Sequence, residues 1–267
     1  MMYFDTHTHL TDERFDADRD ALLSSLPHHG LALALDVACA LGDFPKTLAL
    51  TQAYPWIYGA YGVHPHYAAE APDGYLEEVS SALRYPKAKA LGEIGLDYHY
   101  DFAPRETQRR VFAEQLALAQ SLGFPVVLHI REAFGDCMDI LRAYRNGLCG
   151  VMHCFSGSAE IARECVDLGL YVAFGGAVTF KNAHKPIEAA AYVPLDRLLL
   201  ETDCPYMTPV PHREMILLLF LSSRRRWHKR AAWMPKSSCR RRFETESSSS
   251  KFHDQHTETA CRSFCRP

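Results

Sequence analysis

Short apolar runs rich in β-branched and aromatic residues alternate with longer amphipathic segments over most of the chain. The segments between the runs predict helices, the clearest of which is APRETQRRVFAEQLALAQSLG. There Val111, Gln115, Leu118 and Leu122 share one flank, and Gly123 is placed to end the helix. The apolar runs predict eight strands, at Tyr3–His7, Leu31–Cys39, Trp56–Val63, Ala88–Leu96, Pro125–Ile130, Gly150–Phe155, Leu170–Phe174 and Leu198–Thr202.

The alternation of strands and helices determines the predicted fold class. Strands joined by crossover helices pair in parallel, because parallel neighbours need connections of that length. Eight such units are the number that closes a barrel. We therefore predict an α/β protein with a (β/α)8 TIM-type barrel, and a doubly wound open sheet is the alternative architecture.

The alternation stops near Arg213. From Arg213 to the last residue the chain carries thirteen Lys and Arg against five Asp and Glu, although its overall formal charge is −3. Residues 214–267 contain no glycine, an Arg/Ser-rich centre and no sustained period, a composition typical of poorly ordered segments. We predict a hydrolase barrel over residues 1–213 and an atypical basic tail over residues 214–267.

Two explanations of that tail remain open. It could be a basic nucleic-acid-binding segment, or it could result from a frameshift near Arg213. The codons for Arg-Glu-Met-Ile-Leu, shifted by one base, can encode Gly-Asn-Asp-Ser, a polar loop sequence that suits the preceding residues. The DNA sequence distinguishes the two explanations.

Composition and the first residues predict a cytoplasmic protein with no membrane association. The start, MMYFDTHTHL, has no basic region followed by a long apolar run, and the longest apolar run, Met215–Leu221, is too short to span a bilayer. The nine cysteines form no CxxC motif, which favours reduced thiols. We interpret Cys39, Cys154 and Cys204 as packing residues, and we expect a monomer with no obligate protein partner.

Polar side chains interrupt the apolar pattern where several predicted strands end. His7 and His9 lie two residues apart on one strand, so their imidazoles share a face. Unpaired buried imidazoles and carboxylates cost several kcal/mol, and bound cations offset that cost. Nitrogen and oxygen donors suit Zn²⁺, Mn²⁺, Mg²⁺ or Co²⁺. The candidate metal ligands are His7, His9, Glu93, His129, His153 and Asp203.

Further polar residues are expected at the same mouth of the barrel. His64 and His66 follow the third strand, and Arg131 follows His129 by two residues, so all three are candidates for binding an anionic substrate. Asp5 could orient an imidazole. Glu201 could take part in proton transfer or hold Arg131.

Six motifs, in order, resemble the TatD family of metal-dependent deoxyribonucleases: DTHTHL, GVHPH, GEIGLDY, LHIREA, HCFSG and ETDCPY. The resemblance covers residues 1 to about 213. It implies a cytoplasmic hydrolase that needs divalent metal and acts on DNA phosphodiesters, with 3′-exonuclease or abasic-site activity in some members. Family members continue after ETDCPY into helices that close the barrel, and residues 214–267 replace that segment here.

The resemblance also implies a division of the ligands between two divalent cations. His7, His9 and Asp203 match the ligands of one cation. His129 and His153 match those of the second, and Glu93 matches a ligand that bridges both. The resemblance suggests His64 as a contact of the substrate phosphate.

The hypothesis from sequence is hydrolysis of DNA by a water that two cations activate. Asp203 is the first candidate to accept the proton of that water, and Glu201 is the second. Three alternatives remain open: a barrel amidohydrolase or esterase acting on a small molecule, a non-catalytic nucleic-acid-binding protein led by its tail, and an inactive product of a frameshifted gene.

Overall fold

Eight parallel strands lie side by side in chain order in the computed structural model of the protein, which describes residues 3–211. Each strand pairs in parallel with the next along the chain. The strands are β1 (Tyr3–Thr8), β2 (Leu31–Ala38), β3 (Ile57–Tyr61), β4 (Ala88–Asp97), β5 (Val126–Arg131), β6 (Gly150–Met152), β7 (Leu170–Phe174) and β8 (Leu198–Leu200).

One helix connects each strand to the next. The helices are α1 (Arg19–Ser25), α2 (Phe44–Ala53), α3 (Tyr75–Ala82), α4 (Arg105–Leu122), α5 (Phe134–Ala143), α6 (Ala159–Asp167) and α7 (His184–Tyr192). In α4, Val111 and Gln115 are buried as predicted, but Leu122 is 44% exposed. Gly123 ends the helix in the left-handed region (φ 70°), as the sequence predicts.

Hydrogen bonds from the segment after β8 connect it to β1. The Asp203 N–H donates to the carbonyl of His7 (3.0 Å), and the His9 N–H donates to the carbonyl of Cys204 (2.9 Å). The first and last strands are therefore neighbours, which an open doubly wound sheet does not allow. The predicted (β/α)8 barrel is confirmed.

The barrel interior is a packed apolar layer beneath a polar mouth. Inward-facing side chains such as Val127, Val151 and Leu199 form part of the interior cluster. Because alternate residues of a strand face the same side, His129 and His153 continue two of these rows towards the carboxyl ends of the strands. The polar residues singled out in the sequence thus stand directly above the barrel core.

Three strands end two or three residues earlier than predicted: β3 at Tyr61, β6 at Met152 and β8 at Leu200. His153 therefore lies in the loop just after β6, and Asp203 follows β8, as predicted. The predicted tail, residues 214–267, and the proposed break at Arg213 lie outside the described residues. Within residues 3–211, no helix is both long enough and apolar enough to cross a membrane.

Candidate metal centre

The carboxyl ends of the strands surround a cleft of about 610 Å³. Glu93 and His153 lie at its floor, and Lys46, Tyr100 and Arg131 line it further out. Active sites of this barrel type occur at the same end, because loops from separate strands converge there.

His7 and His9 contribute two converging nitrogens from the end of β1. Their Nε2 atoms lie 3.2 Å apart. The carbonyl of Val37 lies 2.9 Å from His9 Nδ1 and fixes the orientation of that ring. Asp203 Oδ1 lies 3.4 Å from His9 Nε2 and 3.9 Å from His7 Nε2. Residues nearly 200 positions apart along the chain therefore meet at one point.

The two carboxylate oxygens of Glu93 face two different sets of nitrogens. Oε2 lies 3.3 Å from His7 Nε2 and 3.9 Å from His9 Nε2. Oε1 lies 2.9 Å from His129 Nδ1 and 3.3 Å from His153 Nε2. The two oxygens of one carboxylate thus face two separate groups of possible metal ligands.

The donor atoms fit divalent cations. Cations bound at about 2.0–2.2 Å hold neighbouring ligand atoms roughly 3–3.5 Å apart, and most of the distances above lie in or near that range. Two Nε2 atoms 3.2 Å apart can share at most one proton, whereas both can bind a metal. Donor atoms within 4.8 Å of one another form the groups His7–His9–Glu93, His7–His153–Asp203 and His64–Glu93–His129. The structure thus brings all six predicted ligands together.

Opposite charges perturb the pKa values of these groups. Burial alone raises the pKa of Glu93, but the surrounding imidazoles hold it well below its usual range. Burial lowers the pKa of His153, yet the Glu201 and Glu93 carboxylates outweigh burial and raise it to about 9. The pKa of Asp203 is lowered because neighbouring imidazoles, His153 first, outweigh its burial. A cation that binds His153 must therefore displace a proton at neutral pH.

Asp97 is a residue that the sequence analysis missed. Its fully buried carboxylate places Oδ2 3.1 Å from His129 Nε2 and 2.9 Å from His66 Nε2. Gln108 on α4 holds the Asp97 backbone, accepting from its N–H (2.8 Å) and donating to its carbonyl (3.1 Å). The available signal was the spacing of Glu93 and Asp97, which places both on one side of β4.

Glu201 and Asp5 have roles that differ from those expected. Glu201 is fully buried; its Oε1 lies 3.0 Å from His153 Nδ1 and accepts from the Cys154 N–H (2.6 Å). It supports His153, and the suggestion that it holds Arg131 is wrong. The Asp5 carboxylate accepts from the Thr202 N–H (3.0 Å) and hydroxyl (2.7 Å). Asp5 thus ties β1 to the segment after β8, and the expectation that it orients an imidazole is wrong.

The candidate substrate contacts line the cleft. His64 Nδ1 accepts from the His66 N–H (3.2 Å), which leaves Nε2 3.8 Å from Glu93 Oε1. The Arg131 guanidinium lies 4.8 Å from the centre of the Tyr100 ring. His64, His66 and Arg131 therefore line the same cleft as His129, and their contact with a substrate stays a prediction.

The interpretation of the cysteines is correct only for Cys204, which is fully buried and packs in an apolar cluster. Cys39 lines the cleft, with Sγ 3.7 Å from Glu93 Oε2. Burial raises the pKa of the Cys39 thiol to about 11, so the free thiol is protonated at neutral pH. Cys154 adopts a left-handed φ of 43°, and its Sγ lies beside the His153 and Glu201 donor atoms.

The fold and the site define a class of barrel hydrolases that use divalent cations. Known proteins narrow the class. The family model described as TatD-related DNase matches residues 4–218. The uncharacterized metal-dependent hydrolase YabD of Bacillus subtilis is 40% identical over 213 residues, which is 79% of this chain and 84% of that protein.

Two further comparisons agree. The 3′-5′ ssDNA/RNA exonuclease TatD of Musicola paradisiaca is 35% identical over 77% of this chain and 79% of its own. The crystal structure of YJJV, a TatD homolog from Escherichia coli K12, superposes with a TM-score of 0.83 at 28% identity and covers 99% of this chain and 98% of that chain. The chain belongs to the TatD-related DNase family and is a metal-dependent hydrolase.

Proposed function

We propose that this hydrolase is a deoxyribonuclease that cleaves DNA phosphodiester bonds with two divalent cations. The observation that carries the proposal is the Glu93 carboxylate, whose two oxygens face separate sets of imidazoles at the floor of an open cleft. Paired cations of that kind are typical of enzymes that hydrolyse phosphate esters. A relative named as an ssDNA/RNA exonuclease supports the substrate class.

The division of the ligands is part of the proposal. His7, His9 and Asp203 would hold one cation, whereas His129 and His153 would hold the second. Glu93 would be a ligand of both, which the distances from its two oxygens support. The donors suit Zn²⁺, Mn²⁺, Mg²⁺ or Co²⁺. We further propose a cytoplasmic, monomeric enzyme with no obligate protein partner.

When bound, the cations supply a water of lowered pKa and neutralise charge that develops on the phosphate. The Asp203 carboxylate would accept the proton of the attacking water through the oxygen that does not bind the cation, because this carboxylate stays ionised and is slightly exposed to the cleft. Arg131 and His66 bind the non-bridging phosphate oxygens, and His64 Nε2 contacts them from beside Glu93. Glu201 is the second candidate to accept the proton of the attacking water. It is enclosed behind His153, so the proton would have to pass through the His153 ring.

The test is metal content and cleavage of end-labelled single-stranded DNA by the wild type and Glu93→Gln. Wild type is expected to bind about two cations and to cleave only when a divalent cation such as Mn²⁺ or Mg²⁺ is present. Glu93→Gln is expected to lose at least about 10²–10³-fold in kcat, because it removes charge stabilisation from the reacting centre. Glu114→Gln on α4, which removes an exposed ion pair with Arg110, is the matched control.

Two outcomes contradict the proposal. Wild-type rates from Glu93→Gln would disprove the bridging role. Metal binding without phosphodiester cleavage, together with hydrolysis of an amide or lactone, would instead assign the site to small molecules, since the same barrel and ligands serve those reactions. Bis-p-nitrophenyl phosphate, a simple phosphodiester, is assayed beside the amide and lactone substrates.

A further inference from the structure

Two aromatic side chains project into solvent at the rim of the cleft. Tyr100 is 49% exposed and Phe102 is 66% exposed, the largest exposed fraction among the large hydrophobic side chains of residues 3–211. Their rings are stacked, with centroids 5.2 Å apart and planes 15° apart. We call these two residues the aromatic pair. Exposed apolar surface beside a catalytic cleft marks a binding site more often than a packing defect.

The loop that carries the aromatic pair is held in place without a ligand. Asp97 Oδ1 accepts from the N–H groups of His99 and Tyr100, both at 2.9 Å. Asp101, which lies between Tyr100 and Phe102 in the sequence, has a left-handed φ of 52° and an ion pair with Arg105 at 2.7 Å. An exposed ring that is already held in place loses little conformational entropy when it binds a ligand.

The aromatic pair is continuous with the metal centre. The His66 ring contacts both members edge-on, at 5.4 Å from Tyr100 and 4.8 Å from Phe102. His66 Nε2 and His129 Nε2 lie 2.9 and 3.1 Å from the same oxygen of Asp97. A ligand stacked on the pair therefore lies close to the reacting phosphate.

The Arg131 side chain beside the aromatic pair indicates which class of ligand the pair binds. The Arg131 guanidinium stacks over Tyr100 and also lines the cleft. The three features match the parts of one nucleotide. The aromatic face suits the base, and the guanidinium and the proposed phosphate-hydrolysing centre suit the phosphate. An aliphatic ligand would suit the apolar surface but has no negative charge for the guanidinium and the metal centre.

We propose that the aromatic pair stacks one unpaired nucleobase next to the scissile phosphate and so selects single strands over duplex. The inference rests on the proposed deoxyribonuclease function. In a duplex the bases are already stacked and paired, and exposing one costs a few kcal/mol. Stacking on an aromatic ring tolerates every base, so the pair confers strand selectivity without sequence selectivity.

The test compares Phe102→Ala with wild type on a single-stranded oligonucleotide and on the same oligonucleotide with abasic terminal positions. Loss of one stacking contact is expected to lower kcat/KM on the intact strand about 5- to 100-fold. On the abasic strand the two proteins are expected to cleave equally. The preference of wild type for single strands over a blunt duplex is expected to shrink in Phe102→Ala.

Two control variants separate stacking from damage to the fold. Phe102→Trp keeps an aromatic face and is expected to retain near wild-type kcat/KM. Tyr192→Ala removes another exposed aromatic residue, 42% exposed with Arg163 over its ring, which does not line the cleft. It is expected to leave both substrates unaffected.

A binding measurement distinguishes failure of this inference from failure of the proposed function. Fluorescence anisotropy of labelled oligo-dT in EDTA reports base-dependent affinity without cleavage. If wild type cleaves DNA and Phe102→Ala matches it on every strand, the stacking role is overturned and the nuclease function stands. If neither protein cleaves, but Phe102→Ala binds the intact strand more weakly than wild type and the abasic strand as tightly as wild type, the stacking role is supported and the proposed nuclease function is overturned. Equal binding with no cleavage overturns both.

Discussion

Replacement of Asp97 by Asn changes which ring nitrogen of His129 carries the proton. Asp97 Oδ2 can only accept, so it favours a proton on His129 Nε2, 3.1 Å away, and leaves the lone pair of Nδ1 facing Glu93. Oδ1 accepts two backbone N–H groups, from His99 and Tyr100. The amide oxygen of Asn must therefore stay on those N–H groups, and its NH₂ points at His129 Nε2. The proton then moves to Nδ1, where it blocks a cation.

The expected cost is that of losing a group that orients a metal-binding histidine. Such losses lower metal affinity 10- to 100-fold, or about 1.4–2.7 kcal/mol. Calorimetric titration of metal-free Asp97→Asn with Mn²⁺ is expected to show this weakening for the cation proposed to bind His129 and an unchanged affinity for the cation proposed to bind His7 and His9. The NH₂ group of Asn cannot accept a hydrogen bond, so the substitution also weakens the contact with His66 Nε2.

Asp36→Asn is the matched control. Asp36 is as buried as Asp97 but accepts from the Leu10 N–H and the Thr47 hydroxyl, neither of which is an imidazole. It is expected to bind Mn²⁺ like wild type. If Asp97→Asn also binds both cations like wild type, the reasoning about the proton on His129 is refuted. Equal weakening of both cations would show that Asp97 supports the whole site, not one nitrogen.

Two further predictions concern stability. Burial raises the pKa of Asp5 from 3.8 to about 7, so its contribution to stability is present below pH 3.8 and is lost as the pH rises through 7. Asp5→Asn is expected to flatten the dependence of the unfolding free energy on pH between 4.5 and 8, measured by urea denaturation in EDTA, and a slope equal to that of wild type would contradict the assignment. Gly95 has a φ of 148°, and a Cβ there would overlap the carbonyl oxygen of His129. Gly95→Ala is expected to lose several kcal/mol, seen as a lower Tm, whereas Gly42→Ala, with open space around it, is expected to keep the wild-type Tm.

The barrel and the ligand cluster were predictable because both follow from a period of two along the strands. Apolar residues such as Val127 fill the interior, and the next inward position, His129, breaks the pattern with a polar group. Repetition of that break at several strand ends indicated one convergent site. The interpretation of residues 214–267, by contrast, stays a prediction that the DNA sequence tests.

The residues that were missed depend on backbone geometry that sequence does not show. The register of β4 shifts between Leu91 and Ile94, so the orientation of Asp97 could not be counted from the start of the strand. Cys154 has a left-handed φ, which invalidates the rule that the residue after an inward-facing one points away. The buried glutamine Gln108 belongs to the same group, since its role requires knowing which strand end it meets.

The closure of the barrel has a consequence for protein synthesis. The Asp203 N–H bonds to the carbonyl of His7, so the contact that closes the cylinder also brings the last ligand to the first. A nascent chain carries His7 and His9 from the outset and gains Glu93 midway, but it lacks Asp203, the second carboxylate beside them, until residue 203 has left the ribosome. The candidate metal centre is therefore completed late, only after nearly all of the barrel has been made.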